Sequence, residues 1–203
     1  LARIETLEAL RRLYKPPSER ARLKQLDRLD RHCRRFIELS PLLVLASTNP
    51  SGGTDASPRG GAPGFVHVLD ERTLLIPDRP GNNRIDSLAN FIACPEVGLL
   101  FLVPGVDECL RVNGTAEIRD DAELCARFVV DGRRPATVLS VRVREAFLHC
   151  GKALMRARLW DPASRIDRAS LPSIGEMIKD QVNLSGPAES QAEMLARYRE
   201  SLY

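Results

Sequence analysis

Hydrophobic residues change their rhythm along this chain at Pro41. Before it they recur every three or four positions. Leu23, Leu26, Leu29, Cys33, Phe36 and Ile37 follow that spacing and predict a helix over 19–38. A second helix is predicted over 2–13. Lys15-Pro16-Pro17-Ser18 separates the two, with Ser18 placed to cap the later one. After Pro41 the apolar residues come in short runs closed by turn residues. Leu42 to Thr48 ends at Asn49-Pro50-Ser51-Gly52-Gly53, and further strands are predicted over 54–58, 64–69, 73–77, 96–103, 107–118 and 136–148. In 109–118, Leu110, Val112, Gly114, Ala116 and Ile118 alternate with more polar neighbours. That is the two-residue period of a strand with one buried face. Helices interrupt at 83–93, where Ile85, Leu88, Phe91 and Ile92 form an apolar stripe, and at 121–130. They return at 173–181 and 189–202, the last placing Met194, Leu195, Tyr198 and Leu202 on one face.

Leu69-Asp70-Glu71-Arg72 and Pro104-Gly105-Val106-Asp107 are hairpin connections, so the strands pair antiparallel. No strand–helix alternation is present, which disfavours a doubly wound parallel sheet. The expected class is α+β, mainly antiparallel β, and a small barrel would remove exposed sheet edges. The expected organisation is a helical arm at 1–40 that packs on the barrel as a lid or dimer element, a barrel domain at 41–165, and a helical tail at 166–203.

With 203 residues and an ordinary balance of apolar and charged side chains, the chain suits one packed domain with extensions. The net charge of +3 and an aromatic content of 5% give no basic, aromatic-interleaved face, so no nucleic-acid partner is expected. The apolar run Val97 to Pro104 is too short to span a bilayer, and no secretory signal is visible, so no membrane partner is expected. Cys33, Cys94, Cys109, Cys125 and Cys150 are odd in number and lack a CxxC spacing. That argues against disulfides and zinc and for a cytoplasmic setting. Lysine occurs only at 15, 24, 152 and 179, while arginine is abundant. Arginine suits a bidentate grip on phosphate, and a GC-rich genome accounts for the same bias.

Three stretches could carry chemistry. In Ile76-Pro77-Asp78-Arg79-Pro80-Gly81-Asn82-Asn83-Arg84-Ile85-Asp86-Ser87 a strand ends, a turn follows and a helix begins. A helix start offers unpaired N–H groups to a phosphate, and Arg79 and Arg84 add charge. The plain alternative is a capped turn in which Asn83 and Asp86 satisfy the helix end. In Ala56-Ser57-Pro58-Arg59-Gly60-Gly61 an arginine meets a glycine turn that lets backbone approach a ligand; the alternative is an ordinary loop arginine. In Phe147-Leu148-His149-Cys150-Gly151-Lys152-Ala153 the adjacent His149 and Cys150 face opposite sides of a strand, which disfavours a catalytic dyad. Lys152 and Arg156, four apart, share a face if Gly151 starts a helix. Trp160 is suited to stacking on a planar ring or to anchoring a core. His32 and His67 are isolated.

As an ordered set, Ser57-Pro58-Arg59-Gly60, Leu75 through Arg84, Pro95-Glu96-Val97-Gly98-Leu99-Leu100-Phe101 and Leu110-Arg111-Val112-Asn113-Gly114 resemble the FMN-binding split-barrel family around pyridoxamine 5'-phosphate oxidase. His149 through Ala153 with Leu159-Trp160 resembles one branch of it. The resemblance spans roughly 20–165. It implies a six-stranded antiparallel split barrel and a homodimer with FMN at the subunit interface. It implies that Ser57 and Arg59 approach the flavin ring or phosphate. Ile76, Pro77 and Asp78 would line the isoalloxazine, and Asn82, Asn83, Arg84 and Ser87 would hold the phosphate and ribityl chain. It further assigns Glu108 and Arg111 to the site from the partner chain, and Lys152, Arg156 and Trp160 to its closure. Glu108 stands where the oxidase pattern has arginine, and the chain ends in Arg199-Glu200-Ser201-Leu202-Tyr203 rather than the oxidase terminus. Pyridoxamine phosphate is therefore not the expected substrate. The expected function is FMN-dependent oxidoreduction with NADPH or NADH as a donor, although no GxGxxG fingerprint occurs. The alternatives are a non-enzymatic flavin protein for storage, sensing or electron carriage, or a related barrel holding haem or a deazaflavin. For haem, His149 would be the axial ligand to test.

Overall fold

The computed structural model describes residues 3–203. Seven strands form one sheet: β1 (Leu42–Thr48), β2 (Thr54–Gly60), β3 (His67–Asp70), β4 (Thr73–Pro77), β5 (Glu96–Leu102), β6 (Cys109–Arg119) and β7 (Val138–His149). Every pairing is antiparallel, in the order β2-β1-β5-β6-β7-β4-β3. The α+β split-barrel class expected from the sequence is therefore present, with two corrections. The strands number seven, not six, and the outermost pair, β2 and β3, do not join, so the sheet stays open. The seventh strand is the four-residue β3. A tight turn, in which the Arg72 amide donates to Asp70 Oδ1 at 2.6 Å, folds it back on β4 alone.

One face of the curved sheet carries the core. Leu43 and Leu45 of β1, Leu74 and Ile76 of β4, Leu99 and Phe101 of β5, Leu110 and Val112 of β6, and Leu139 and Val141 of β7 are all fully buried. Each contributes about 1.5–3 kcal/mol by leaving water. Helices α3 (Arg31–Leu39) and α4 (Asp86–Ala93) cover that face with Cys33, Ile37 and Phe91. Behind β4 and β7 a smaller cluster of Leu75, Val138, Cys125 and Phe128 forms under α5 (Ala122–Ala126).

The helix expected over 19–38 is not continuous. It splits into α2 (Glu19–Leu23) and α3, and the helix expected over 2–13 is α1 (Leu7–Leu13); residue 2 lies outside the described residues. Between α2 and α3 the chain is extended. Leu26 exchanges two backbone hydrogen bonds with Ala146 of β7, at 2.9 and 2.8 Å, and Leu29 is buried in the core. Asp30 then starts α3 by accepting from the amides of His32 and Cys33 at 3.0 and 2.8 Å. Burial and the neighbouring Asp30 push the Cys33 thiol up to about 12.

The helix expected over 121–130 stops at Ala126, where Phe128 turns inward and Asp131 and Gly132 adopt left-handed backbone to reverse the chain. A short helix α6 (Lys152–Ala157) follows β7. The tail carries α7 (Ile174–Val182) and α8 (Gln191–Glu200), each opened by a reciprocal serine–glutamate cap, Ser173 with Glu176 and Ser190 with Glu193. Among the described residues no helix is long and apolar enough to cross a membrane, and no group of three His, Cys, Asp or Glu residues is placed to hold a metal ion.

Candidate functional site

A cleft of about 460 Å³ opens between β2, the segment after β4, the start of α4 and the loop before β7. Its size is within the usual range for a small-molecule site. It gathers Ser57, Arg59, Asp78, Asn82, Asn83, Arg84 and Ser87, residues from two separate stretches of the sequence. β2 alternates, so Asp55, Ser57 and Arg59 face inward together. Arg59 Nη1 donates to Ser57 Oγ at 2.7 Å. Its Nε is buried and has no partner. A buried, unpaired N–H costs about 1–3 kcal/mol, so Arg59 is held ready for an acceptor that the protein does not supply.

Asp78 lies opposite, half-buried, its amide donating to the Thr137 carbonyl at 3.0 Å. Burial raises the pKa of its carboxyl, and the Arg59 guanidinium only partly offsets this.

The helix start differs from the expected one. α4 begins at Asp86 rather than Asn83, and Ile85 stands at the N-cap in left-handed backbone at φ 52°. Neither asparagine caps it. Asn82 Oδ1 instead accepts from the Arg84 amide at 3.0 Å, and Asn83 is also left-handed, at φ 58°. No side chain bonds the first amides of α4, which leaves them open to an anion at the cleft. Arg84 pairs with Asp86 at 2.8 Å across an exposed surface. Ser87 is buried and donates to Asp55 Oδ2 at 2.9 Å, while Asn90 donates to Ser47 Oγ at 2.9 Å, a polar network that ties α4 to β1 and β2.

Two charged lining residues were not singled out by the sequence. Arg134 enters from the loop before β7, and Asp55 precedes Ser57 by two on the same face of β2. The only sequence signal for Arg134 is the Arg133-Arg134-Pro135 run after the Asp131-Gly132 turn. The walls thus hold four arginines (59, 79, 84 and 134) against three aspartates (55, 78 and 86).

The remaining expected residues lie elsewhere in this chain. Ile76 and Pro77 are buried, and their side chains do not line the cleft. Arg111 is paired with Glu145 on the opposite face of the sheet, its guanidinium 5.0 Å from the Phe147 ring. Glu108 lines a separate cavity of about 500 Å³ with Lys24, His149 and Cys150. Burial, Arg111 and Lys24 together lower the pKa of His149. Lys152 and Arg156 are exposed on α6, and Trp160 donates from Nε1 to the Val106 carbonyl at 2.9 Å, an anchoring role.

The family model described as pyridoxamine 5'-phosphate oxidase matches residues 29–150, more than half of the chain and all of the sheet. The chain belongs to the pyridoxamine 5'-phosphate oxidase family. No curated protein matches the sequence. Among solved structures, a single-substitution variant of HupZ from Group A Streptococcus is 15% identical, with 60% of this chain and 99% of that one covered at a TM-score of 0.50. General stress protein 26 of Bacillus anthracis is 13% identical, covering 58% and 93% at 0.44. An FMN-binding protein of Syntrophomonas wolfei is 10% identical, covering 58% and 83% at 0.45. At these identities the likeness to HupZ is one of fold.

Proposed function

We propose that the cleft holds FMN and that the protein is an FMN-dependent oxidoreductase acting on a substrate other than pyridoxamine phosphate. The observation that carries this reading is the convergence of Arg59, with its buried unpaired Nε, on the same cleft as Arg84 and the uncapped start of α4. Arg84 and the first amides of α4 hold the phosphate, with Arg134 adding charge from the facing loop. Asn82, Asn83 and Ser87 fix the ribityl end. Ser57, Arg59 and Asp78 meet the polar edge of the ring, and Ile76 and Pro77 shape that end from behind through the backbone. FMN, when bound, supplies hydride or electron transfer. The protein's part is to bind it, orient it and keep water from one of its faces.

The proposal extends to a homodimer. Ile85, which lines the cleft, is 60% exposed, and Leu42 and Ile92 are 39 and 82% exposed; exposed apolar side chains of this kind suit contact with a second copy of the chain. In that arrangement Glu108, Arg111, Lys152 and Arg156 serve the partner's cleft while Trp160 anchors the segment that follows α6, the arm at 1–40 and the tail at 166–203 flank the barrel at 41–165, and the setting is cytoplasmic.

The deciding experiment is an absorption spectrum of the purified protein before and after anaerobic NADPH or NADH. Flavin bands that bleach on addition support the oxidoreductase. Bound flavin that stays oxidised moves the reading to a storage, sensor or electron-carrier protein. Protein that cannot be reconstituted with FMN, and takes up haem or a deazaflavin instead, overturns it.

A further inference from the structure

A second, smaller cavity of about 250 Å³ shares one lining residue with the cleft, Arg79. Four aromatic side chains stand around the second cavity: Phe65, His67, Phe128 and Tyr203. His67 is stacked on Phe128 with ring centroids 4.2 Å apart and 29° between planes. Phe65 is fixed by the turn that precedes it. Its amide donates to the Ala62 carbonyl at 2.9 Å, and a Cβ at Gly61 would lie 2.7 Å from Phe65 Cβ. Tyr203 also lines the cavity, its ring centroid 5.2 Å from the Arg79 guanidinium.

The charge of this cavity is one-sided. Arg79 and Arg127 both line it, and among the described residues neither belongs to an ion pair. No carboxylate side chain lines it. Burial, then Arg127, lowers the pKa of His67, which favours the neutral imidazole and a flat face over a third cation. Aromatic faces accept a flat apolar body, and a guanidinium accepts a carboxylate through two parallel hydrogen bonds. A volume of that size holds on the order of eight waters, which limits the occupant to one ring with a small acidic group.

We propose that this cavity is a binding site for a planar, single-ring carboxylate, whose ring packs among Phe65, His67, Phe128 and Tyr203 and whose carboxylate lies on Arg127 and Arg79. Its assignment as the substrate class rests on the FMN reading above, because Arg79 lines both the proposed flavin cleft and this cavity. The binding itself does not depend on that reading.

The test uses benzoate as probe, with benzyl alcohol and phenyl phosphate as comparators, followed by saturation-transfer NMR on the full chain with and without FMN. Benzoate is expected to bind more tightly than either comparator. Arg127→Gln, an exposed position outside the FMN cleft, is expected to weaken benzoate about tenfold while leaving FMN affinity unchanged. Equal benzoate binding by R127Q, or preference for either comparator, overturns the proposal. Failure of FMN to bind, with benzoate still bound in an Arg127-dependent way, removes the flavin reading and leaves the carboxylate site standing.

Discussion

Asp78 and Arg84 sit in the same cleft but under opposite electrostatics. Asp78 is half-buried, and burial raises its pKa against a weaker pull from Arg59. The folded state therefore holds its proton more tightly than the unfolded chain does. Stability from this group is complete below the unfolded value of about 3.9 and is lost as pH rises through the higher folded value. Asp78→Asn removes the charge, so cofactor-free D78N is expected to match the parent near pH 3.5 and to melt about 2–3 °C higher at pH 7. Lower melting at pH 7, measured by calorimetry, would mean that Arg59 outweighs desolvation. Arg84 is exposed and already paired with Asp86. Arg84→Ala is expected to weaken FMN by about 2 kcal/mol, roughly thirtyfold in Kd by flavin fluorescence titration. An unchanged Kd in the folded variant would take Arg84 out of the phosphate site. Arg84 and Arg59 were legible because each stands in a motif where a strand meets a turn. Arg134 was not, because its place in the cleft depends on a loop 50 residues further along the chain. Capping by Asn83 fails because left-handed backbone at Ile85 shifts the helix start by three residues, and a single φ angle leaves no trace in the hydrophobic pattern.

At the scale of elements, the β6–β7 pair is the longest ladder, running from Cys109 opposite His149 to Arg119 opposite Val138. Its register shifts between Asn113 and Gly114, where β7 carries one extra residue. Gly114 makes this shift possible, since a Cβ there would run into the Arg142 carbonyl. Gly114→Ala is expected to destabilise the protein by about 1–3 kcal/mol, read as a lower urea midpoint at unchanged slope. A midpoint equal to the parent's would show that the ladder can relax. The strand positions themselves were readable, because alternation such as Leu110, Val112, Gly114 and Ala116 fits no other element. The break between α2 and α3 was not, since Leu23, Leu26 and Leu29 keep helical spacing across it. What ends the helix is the pairing of Leu26 with Ala146, 120 positions away, and no local pattern encodes that.

At the scale of the molecule, the proposed dimer is expected to sediment at twice the chain mass at micromolar concentration. Ile92→Lys, at an 82% exposed apolar position on α4, is expected to shift it toward the single-chain mass without lowering its melting temperature by more than about 2 °C. A parent that sediments as a single chain would remove the dimer. The arm has its own consequence for the whole fold. β4 accompanies β7 only from Val138 to Arg142, and beyond that point the backbone of β7 is met by Arg72 at Val143 and then by the arm, through Leu26 at Ala146 and Lys24 Nζ, which donates to the Leu148 carbonyl at 2.7 Å. The arm is thus a guard that keeps this length of β7 from serving as a template for a foreign strand. The Ala146 amide is expected to resist deuterium exchange as long as the arm is docked. Cutting the chain after residue 30 should release that protection and let exposed β7 edges pair into aggregates larger than a dimer.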